Sequence, residues 1–480
     1  MERKATLLQS HTNRILLANL MLASFLTGTG SRIFAISLPT VAENLQTDMA
    51  GISWALISFQ LSTISLSLVF GRMGDLYGRQ VILCTGLLVF TASSFLCGLS
   101  QDILQLVFFR LLQGVGAAMI QAQGRALAME VVPQGSVGKA QGFLTTAHHT
   151  GFLLGPSLGG FIIDYVHWRG IFFSLVPIGA AGALLARVNR KGSSVSVAST
   201  GATRGSSIDY VGAGLLVVTA LALVAILDRR VMEIVTPGWW TVLILVFVGF
   251  FIGFLIREGT ASSPIINLSL FKIRMFTFST GSLLLVSIIF SLTLFLLPFY
   301  LQEILHLSPS FMGILFMSAP VFAMTLSPVG GYIFDRVGSR LPATAGVLVF
   351  GVACILGTVL KTDSHWLVPT LIIALGGLGS ALFFPSNHAA MIGSVPAEHR
   401  GVATGSVYMV FGLGNILGIT LGGFLMTAAF RYQTGLSTAV PSPANPTAFT
   451  AALNHTFLVV VGIAAVGAVL SLMRGTREKG

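Results

Sequence analysis

Long apolar segments separated by short polar connections fill nearly the whole chain. Each segment has about the 20 residues that a helix needs to cross the hydrocarbon core of a bilayer. Only a helix satisfies its own backbone in lipid, so the pattern predicts fourteen membrane-spanning helices. Their expected ranges are 14–38, 51–71, 80–99, 103–128, 139–163, 170–188, 210–227, 239–256, 276–301, 311–333, 341–360, 366–391, 402–427 and 454–473.

Composition supports a polytopic membrane protein. Hydrophobic residues make up 54% of the 480 positions, charged residues only 9%, and the mean hydropathy is +0.87. A soluble chain of this length needs more charged surface, so the lipid bilayer is the expected partner. The net charge of +11 does not indicate nucleic acid, because the basic residues are scattered through short loops.

The distribution of Lys and Arg predicts the orientation. With the N-terminus inside, 20 of the 27 basic residues fall on the cytoplasmic side and 5 outside, leaving Arg32 and Arg110 within the membrane. We therefore expect a multi-pass protein of the cell membrane with both termini cytoplasmic. All five tryptophans fall at predicted outer ends, as an interfacial belt would place them: Trp54, Trp168, Trp239, Trp240 and Trp366.

The two halves of the chain repeat each other. The string 71–80 returns at 331–340 with Gly, Asp and Gly at the same spacing. A glycine series also recurs, with Gly151, Gly155, Gly159 and Gly160 matched by Gly414, Gly418, Gly422 and Gly423. We predict a six-helix bundle over 1–190, a linker with two extra helices over 191–270, and a second bundle over 271–480. Such repeats are typical of alternating-access carriers.

Three motifs are specific enough to name a family. They are Gly71-x-x-x-Asp75-x-x-Gly78-Arg79, Leu106-x-x-x-Arg110-x-x-Gln113-Gly114-x-Gly116-Ala117-Ala118, and Gly151-x-x-x-Gly155-Pro156-x-x-Gly159-Gly160. Over nearly its whole length the chain resembles a Major Facilitator Superfamily transporter of the fourteen-helix drug:proton antiporter branch. The resemblance implies an all-α, two-bundle monomer that exports small, drug-like organic compounds by alternating access, coupled to protons.

The matched strings between helices are expected to act as gating loops. By resemblance they latch the bundles on the cytoplasmic side, since an Asp can cap a helix or pair with basic residues. The alternative is that their basic residues only hold the loops inside. The residues concerned are Gly71, Asp75, Gly78, Arg79, Gly331, Asp335, Arg336, Gly338 and Arg340.

The membrane interior is basic rather than acidic. The branch usually carries an Asp in its first helix where this chain has Gly30, and the carboxylates fall near helix ends. Arg110 is a functional candidate because intramembrane charge is costly. The alternative is an arginine that snorkels or binds helix-end carbonyls. If Arg32 and Arg110 share a cavity, they form a cationic pocket suited to organic anions.

Neutral polar side chains accompany these arginines. His148 or His388 could carry a coupled proton in place of a carboxylate, and each could equally be a hydrogen-bonded packing residue. Gln113 lies one turn beyond Arg110. In the fifth helix, the glycines make a smooth packing face and Pro156 allows a kink.

Nothing in the sequence suggests an enzyme. There is no phosphate-binding loop for ATP and no Cys/His cluster with metal spacing, so neither a cofactor nor a metal is expected. The expected function is secondary active export, and its first rival is an exporter or facilitator of organic anions. A second rival is a sensor or assembly protein that keeps the carrier fold without transport.

Overall fold

The computed structural model describes residues 11–131, 137–192, 210–227, 237–260, 268–396, 400–436 and 438–475. Within these ranges the regular secondary structure is entirely helical. The all-α polytopic fold predicted from the sequence is thus confirmed. Residues 193–209 of the linker predicted over 191–270 lie outside the described residues.

The chain divides into two compact units. Unit 1 comprises the residues up to Ser37 and Trp54–Ala213, and unit 2 comprises Leu38–Ser53 and Gly214–Gly480. The predicted boundaries at 190 and 270 stay predictions.

The described residues of the first half contain nine helices. They are α1 His11–Arg32, α2 Leu38–Asn44, α3 Met49–Tyr77, α4 Arg79–Leu99, α5 Ile103–Val131, α6 Val137–Tyr165, α7 Arg169–Gly192, α8 Tyr210–Leu227 and α9 Pro237–Thr260, with a 3-10 turn at Ala35–Ser37. The second half follows with α10 Arg274–Phe299, α11 Pro309–Phe316, α12 Ser318–Val337, α13 Arg340–Gly357, α14 Leu367–Gly393, α15 Arg400–Thr434 and α16 Pro446–Met473. A 3-10 turn at Leu268–Lys272 precedes α10, and a π-helical turn at Tyr300–Ile304 follows it.

Twelve spans in the described part of the chain are long and apolar enough to cross a membrane. The two further predicted segments, near 139–163 and 210–227, are covered by α6 and α8. The count of fourteen spanning helices stays a prediction.

The expected loop at 71–80 is almost entirely helical. Helix α3 continues through Tyr77, and Gly78 alone separates it from α4, with its amide bonded to the Gly74 carbonyl at 3.0 Å. Gly78 has φ +96°, and Gly338, its counterpart between α12 and α13, has φ +77°. Only glycine adopts such a left-handed conformation without strain, so each junction depends on one glycine, alone between α3 and α4 and together with Ser339 between α12 and α13.

Two further boundaries differ from the prediction. The first helix ends at Arg32 rather than near residue 38, and α2 begins six residues later. The outer loop expected over 428–453 is shorter, because α15 extends to Thr434 and α16 begins at Pro446. Asn445 starts α16 by accepting a hydrogen bond from the Ala448 amide at 3.0 Å, and proline is well suited to the first helical position.

Close helix contacts recur in the two halves. A Cβ on Gly116 would lie 2.5 Å from the backbone nitrogen of Phe90 in α4. The equivalent position in α14 is Gly379, whose Cβ would lie 2.9 Å from the carbonyl oxygen of Gly346 in α13. Both pairs of helices therefore touch backbone to backbone, and these contacts fix the register between the repeats.

Candidate functional site

Arg110 is the centre of a buried polar network in unit 1. Its side chain is 1% exposed and projects from α5. Nε donates to the Ala55 carbonyl at 3.0 Å, and Nη1 donates to the Gly30 carbonyl at 3.4 Å and to Oε1 of Gln113 at 2.7 Å. Gln113 in turn donates from Nε2 to the Ser94 hydroxyl at 2.7 Å. The network thus joins α1, α3, α4 and α5.

Aromatic rings complete the surroundings of this guanidinium. Its carbon lies 4.4 Å from the ring centre of Phe59, 5.1 Å from that of Phe34 and 6.0 Å from that of Phe172. Ring faces attract a cation, by about 0.5–2 kcal/mol when water is excluded. Nη2 of Arg110 has no hydrogen-bond partner among the described residues. Within the described part of the chain, the charge is therefore held by backbone carbonyls, one amide and aromatic π-electrons rather than by a carboxylate.

The matching place in unit 2 holds a void instead of a charge. The repeat register puts Ile373 at the position of Arg110, Gly376 at that of Gln113 and Cys354 at that of Ser94. These residues line an apolar cavity of about 20 Å³, roughly one water-sized sphere, together with Ile289, Phe290, Thr293, Leu294, Ala319, Phe350, Ala353 and Ile372. The two repeats thus share the arrangement of their helices, but they differ in the polarity of the side chains at these three positions.

Arg32 has a different environment from Arg110. It is half-buried at the end of α1, and its guanidinium carbon lies 4.3 Å from the ring centre of Phe152 in α6. Arg110 is enclosed by another set of rings and carbonyls. The shared cationic pocket stays a prediction.

The two candidate histidines also differ. Nδ1 of His148 lies 3.2 Å from the Ser24 carbonyl, and its ring packs 5.8 Å from that of Phe152. His388 packs 5.7 Å from Phe384, and its Nε2 is buried without a partner in the described part of the chain. The side chain of His149 lies outside the described residues. The proton-carrying role of either histidine stays a prediction.

The glycines of α6 pack against α1. A Cβ on Gly151 would overlap the Phe25 carbonyl oxygen, and one on Gly159 would lie 2.6 Å from the Ile33 carbonyl oxygen. A Cβ on Gly155 would lie 3.2 Å from the Ile33 amide. Pro156 and Gly160 are buried in the same helix. This arrangement agrees with the expected packing face, while the role of Pro156 in export stays a prediction.

The gating residues are only partly described. The side chains of Asp75 and Asp335 lie outside the described residues, so the latch they were expected to make stays a prediction. The guanidinium carbon of Arg336 lies 4.4 Å from the ring centre of Tyr332, one turn earlier in α12. Arg79 and Arg340 begin α4 and α13. A Cβ on Gly71 or Gly331 would meet open space.

The burial of two residues was not predicted from the sequence. Trp168, expected in an interfacial belt, is 1% exposed and packs edge-on against Phe172 at 6.4 Å, because α7 begins just after it and buries its ring. Arg474, one of the 20 basic residues assigned to the cytoplasmic side, is also 1% exposed. Several serines and threonines in the apolar helices around it were the available signal.

Repeated helical halves, tight interhelical glycines and a buried intramembrane charge define a polytopic membrane transporter. The family model of the Major Facilitator Superfamily matches residues 20–294 and 280–479, and the chain belongs to this superfamily. Membership implies a multi-pass protein of the cell membrane that carries small molecules and is not an enzyme.

Named relatives span more than one kind of cargo. The multidrug transporter protein MdtP of Bacillus subtilis is 26% identical over 86% of this chain and 75% of its own length. The riboflavin transporter RibZ of Clostridioides difficile is 25% identical over 95% of this chain and 96% of its own. A bacterial homologue of the human lysosomal transporter Spinster has the same fold, with a TM-score of 0.68 at 14% identity and 97% coverage of both chains.

Proposed function

We propose that this chain is a secondary active exporter of small, drug-like organic compounds, that it exchanges them for protons, and that it works by alternating access. The observation that carries the proposal is the Arg110 network. A fully buried arginine in a spanning helix is expensive, and four helices supply the groups that keep it there. Relatives that carry multidrug names support the drug-like cargo.

Arg110 has hydrogen-bonding capacity that a substrate or a water molecule would use during transport. Its free Nη2 is the one guanidinium nitrogen that neither a carbonyl nor Gln113 satisfies. A negative or strongly accepting group on substrate, or a water that relays a proton, would complete its hydrogen bonding. The residue then responds to occupancy of the carrier while its ring cage holds the charge in place.

The test is transport by the purified protein in proteoliposomes. An imposed pH gradient should drive uptake or release of at least one compound from a panel that includes a lipophilic organic cation, an aromatic carboxylate and riboflavin. Arg110→Lys keeps the charge but loses the fork that reaches Ala55 and Gln113, so it should lower the rate by about tenfold or more. Arg431→Lys, at the end of α15, serves as the control. If the rate of substrate movement is independent of every imposed pH gradient, the antiport proposal is wrong.

A second candidate is transport of organic anions without proton antiport. The charge within the predicted membrane region favours anion transport. That region contains two arginines, and the first helix lacks an acidic residue. Arg32→Ala should then abolish flux of the aromatic carboxylate while leaving the organic cation unaffected. Unchanged carboxylate flux in this variant would reject the cationic pocket.

A further inference from the structure

Arg474 lies buried at the end of unit 2 where α16 finishes. Nε donates to the Ser471 carbonyl at 3.0 Å, and Nη2 donates to the hydroxyls of Ser471 at 2.8 Å and Ser282 at 3.0 Å. Burial lowers the pKa of Arg474 to about 10, which leaves the side chain positively charged at neutral pH. A charge has therefore been moved out of water and held among neutral groups.

Those neutral groups form a network across four helices. Thr344 in α13 donates to the Ser471 hydroxyl at 2.9 Å. The Ser282 hydroxyl in α10 lies 3.3 Å from Oδ1 of Asn387 in α14, and Asn387 donates back to the Ser279 carbonyl at 3.2 Å. Every one of these side chains is at most 5% exposed.

The network is incomplete. Nη1 of Arg474 and the hydroxyl of Ser279 are buried with no hydrogen-bond partner in the described residues, and no carboxylate there pairs with Arg474. An unpaired buried charge is strongly destabilising unless something neutralises it. Nε and Nη2 already donate to Ser471 and Ser282, so the N–H donors of Nη1 are the ones available to an anionic oxygen.

The same end of unit 2 is electropositive beyond Arg474. Arg274, at the start of α10, is exposed and donates from Nε to the Met473 carbonyl at 2.9 Å, which places it beside Arg474. The N-terminus of α10 has no side-chain cap, so its backbone amides and positive dipole end add to the charge. Lys272 lies just before that helix and is exposed.

Unit 1 shows that the repeated fold does not need this network. In the register fixed by the interhelical glycines, Ser279 and Ser282 correspond to Leu20 and Ala23. Thr344 and Ser471 correspond to Cys84 and Ala186. All four unit 1 residues belong to one hydrophobic core cluster. The polar set is thus an addition to unit 2 rather than a requirement of helix packing.

We propose that Arg474, Arg274 and the start of α10 bind a phosphate group, supplied either by the headgroup of an anionic lipid or by free phosphate. The phosphate accepts from Nη1 of Arg474 on the buried side and from Arg274 on the exposed side. Its charge compensates the buried guanidinium and so ties the end of α16 to α10.

Two arms of one experiment distinguish the sources. Full-length protein in mild detergent is examined by native mass spectrometry with phosphatidylglycerol or phosphatidylcholine, and its thermal unfolding is followed in inorganic phosphate against chloride at equal ionic strength. Selective retention of phosphatidylglycerol identifies a lipid headgroup, and stabilisation by inorganic phosphate identifies the free ion. Arg474→Gln should weaken whichever effect is seen by about tenfold, as expected for hydrogen bonds to a charged group.

Matched variants keep the proposal falsifiable. Lys361→Gln removes an exposed positive charge that lies beyond the C-terminal end of α13 and should leave binding unchanged, whereas Arg274→Gln should weaken it. If Arg474→Gln does not fold, Ser279→Ala and Arg474→Lys give the same comparison with smaller losses. Equal retention of both lipids together with no effect of phosphate would overturn the proposal.

Discussion

Arg110 and Gln113 are joined by a hydrogen bond of 2.7 Å, one helical turn apart on α5 and sealed from solvent. This bond lets one amide serve two groups, since its oxygen accepts from the arginine and its nitrogen donates to Ser94. These hydrogen bonds hold the buried guanidinium in one orientation. The pair therefore offers a sensitive measure of how the interior of unit 1 is stabilised.

Gln113→Leu should destabilise the protein because it removes an acceptor from a buried cation. We expect the free energy of unfolding to fall by roughly 1.5–3 kcal/mol, the range for a hydrogen bond to a charged group. Ser94→Ala removes only the neutral partner of Gln113 and should cost about 1 kcal/mol. Denaturant titration in detergent, followed by circular dichroism, measures both values. Equal stability of the two variants would show that the arginine does not depend on the amide.

Adjacent glycines in α14 should respond in opposite directions to alanine. A Cβ on Gly376 would meet only Phe350, at 3.8 Å, and would enter the unit 2 cavity. Gly376→Ala should therefore stabilise the protein by up to about 1 kcal/mol through helix propensity and filling. A Cβ on Gly377 would lie 2.6 Å from the Cα of Ala319, so Gly377→Ala should cost about 2 kcal/mol.

Because the two alanines gain the same intrinsic helix propensity, their difference isolates packing. Thermal unfolding of both variants beside the unaltered protein measures it. The same sign of change at both positions would contradict the cavity and the close α12–α14 contact together.

The glycines at the α3–α4 and α12–α13 junctions should be intolerant of any side chain. Gly78→Ala and Gly338→Ala each force a left-handed conformation on an L-residue, at a cost of about 1–2 kcal/mol. Gly71→Ala and Gly331→Ala lie in helices with open space around the new methyl group and should be neutral or slightly stabilising. Unfolding midpoints of the four variants provide the measurement. A junction variant as stable as its helical control would refute the turn geometry.

The cysteines should be chemically silent in the folded protein. Cys84, Cys97 and Cys354 are free and buried, with Cys97 and Cys354 at most 1% exposed. Maleimide should add to none of them in detergent within the time that it labels all three after unfolding. Intact-mass spectrometry counts the adducts. Rapid labelling of Cys354 would show that the unit 2 cavity opens to solvent.

Periodicity predicted the fold well because lipid leaves a chain few options. Long apolar segments must be helices, and the repeated glycines marked where helices touch, as Gly151 against α1 confirms. The sequence was less informative at segment ends. Charged residues near 71–80 suggested a loop. Helix α3 nevertheless continues to Tyr77, because the backbone hydrogen bonds of a helix form whether its side chains are polar or apolar.

Burial of individual polar residues could be predicted only in part. Arg110 was identified because it lies deep in a predicted span, whereas Arg474 follows a helix end, where a charge normally reaches water. The groups around Arg474 include residues that are distant in sequence, such as Ser282, which lies 192 positions earlier. One sequence alone does not reveal such tertiary contacts.

Ile373 and Gly376 line a void at the position where unit 1 has the charge of Arg110. The two repeats have therefore diverged at equivalent positions. Each copy keeps the helix contacts that make it fold, so the residues between those contacts are free to diverge. The first copy holds a buried, hydrogen-bonded cation at this position. The other has spare volume, and evolution or engineering can fill it without rebuilding the scaffold.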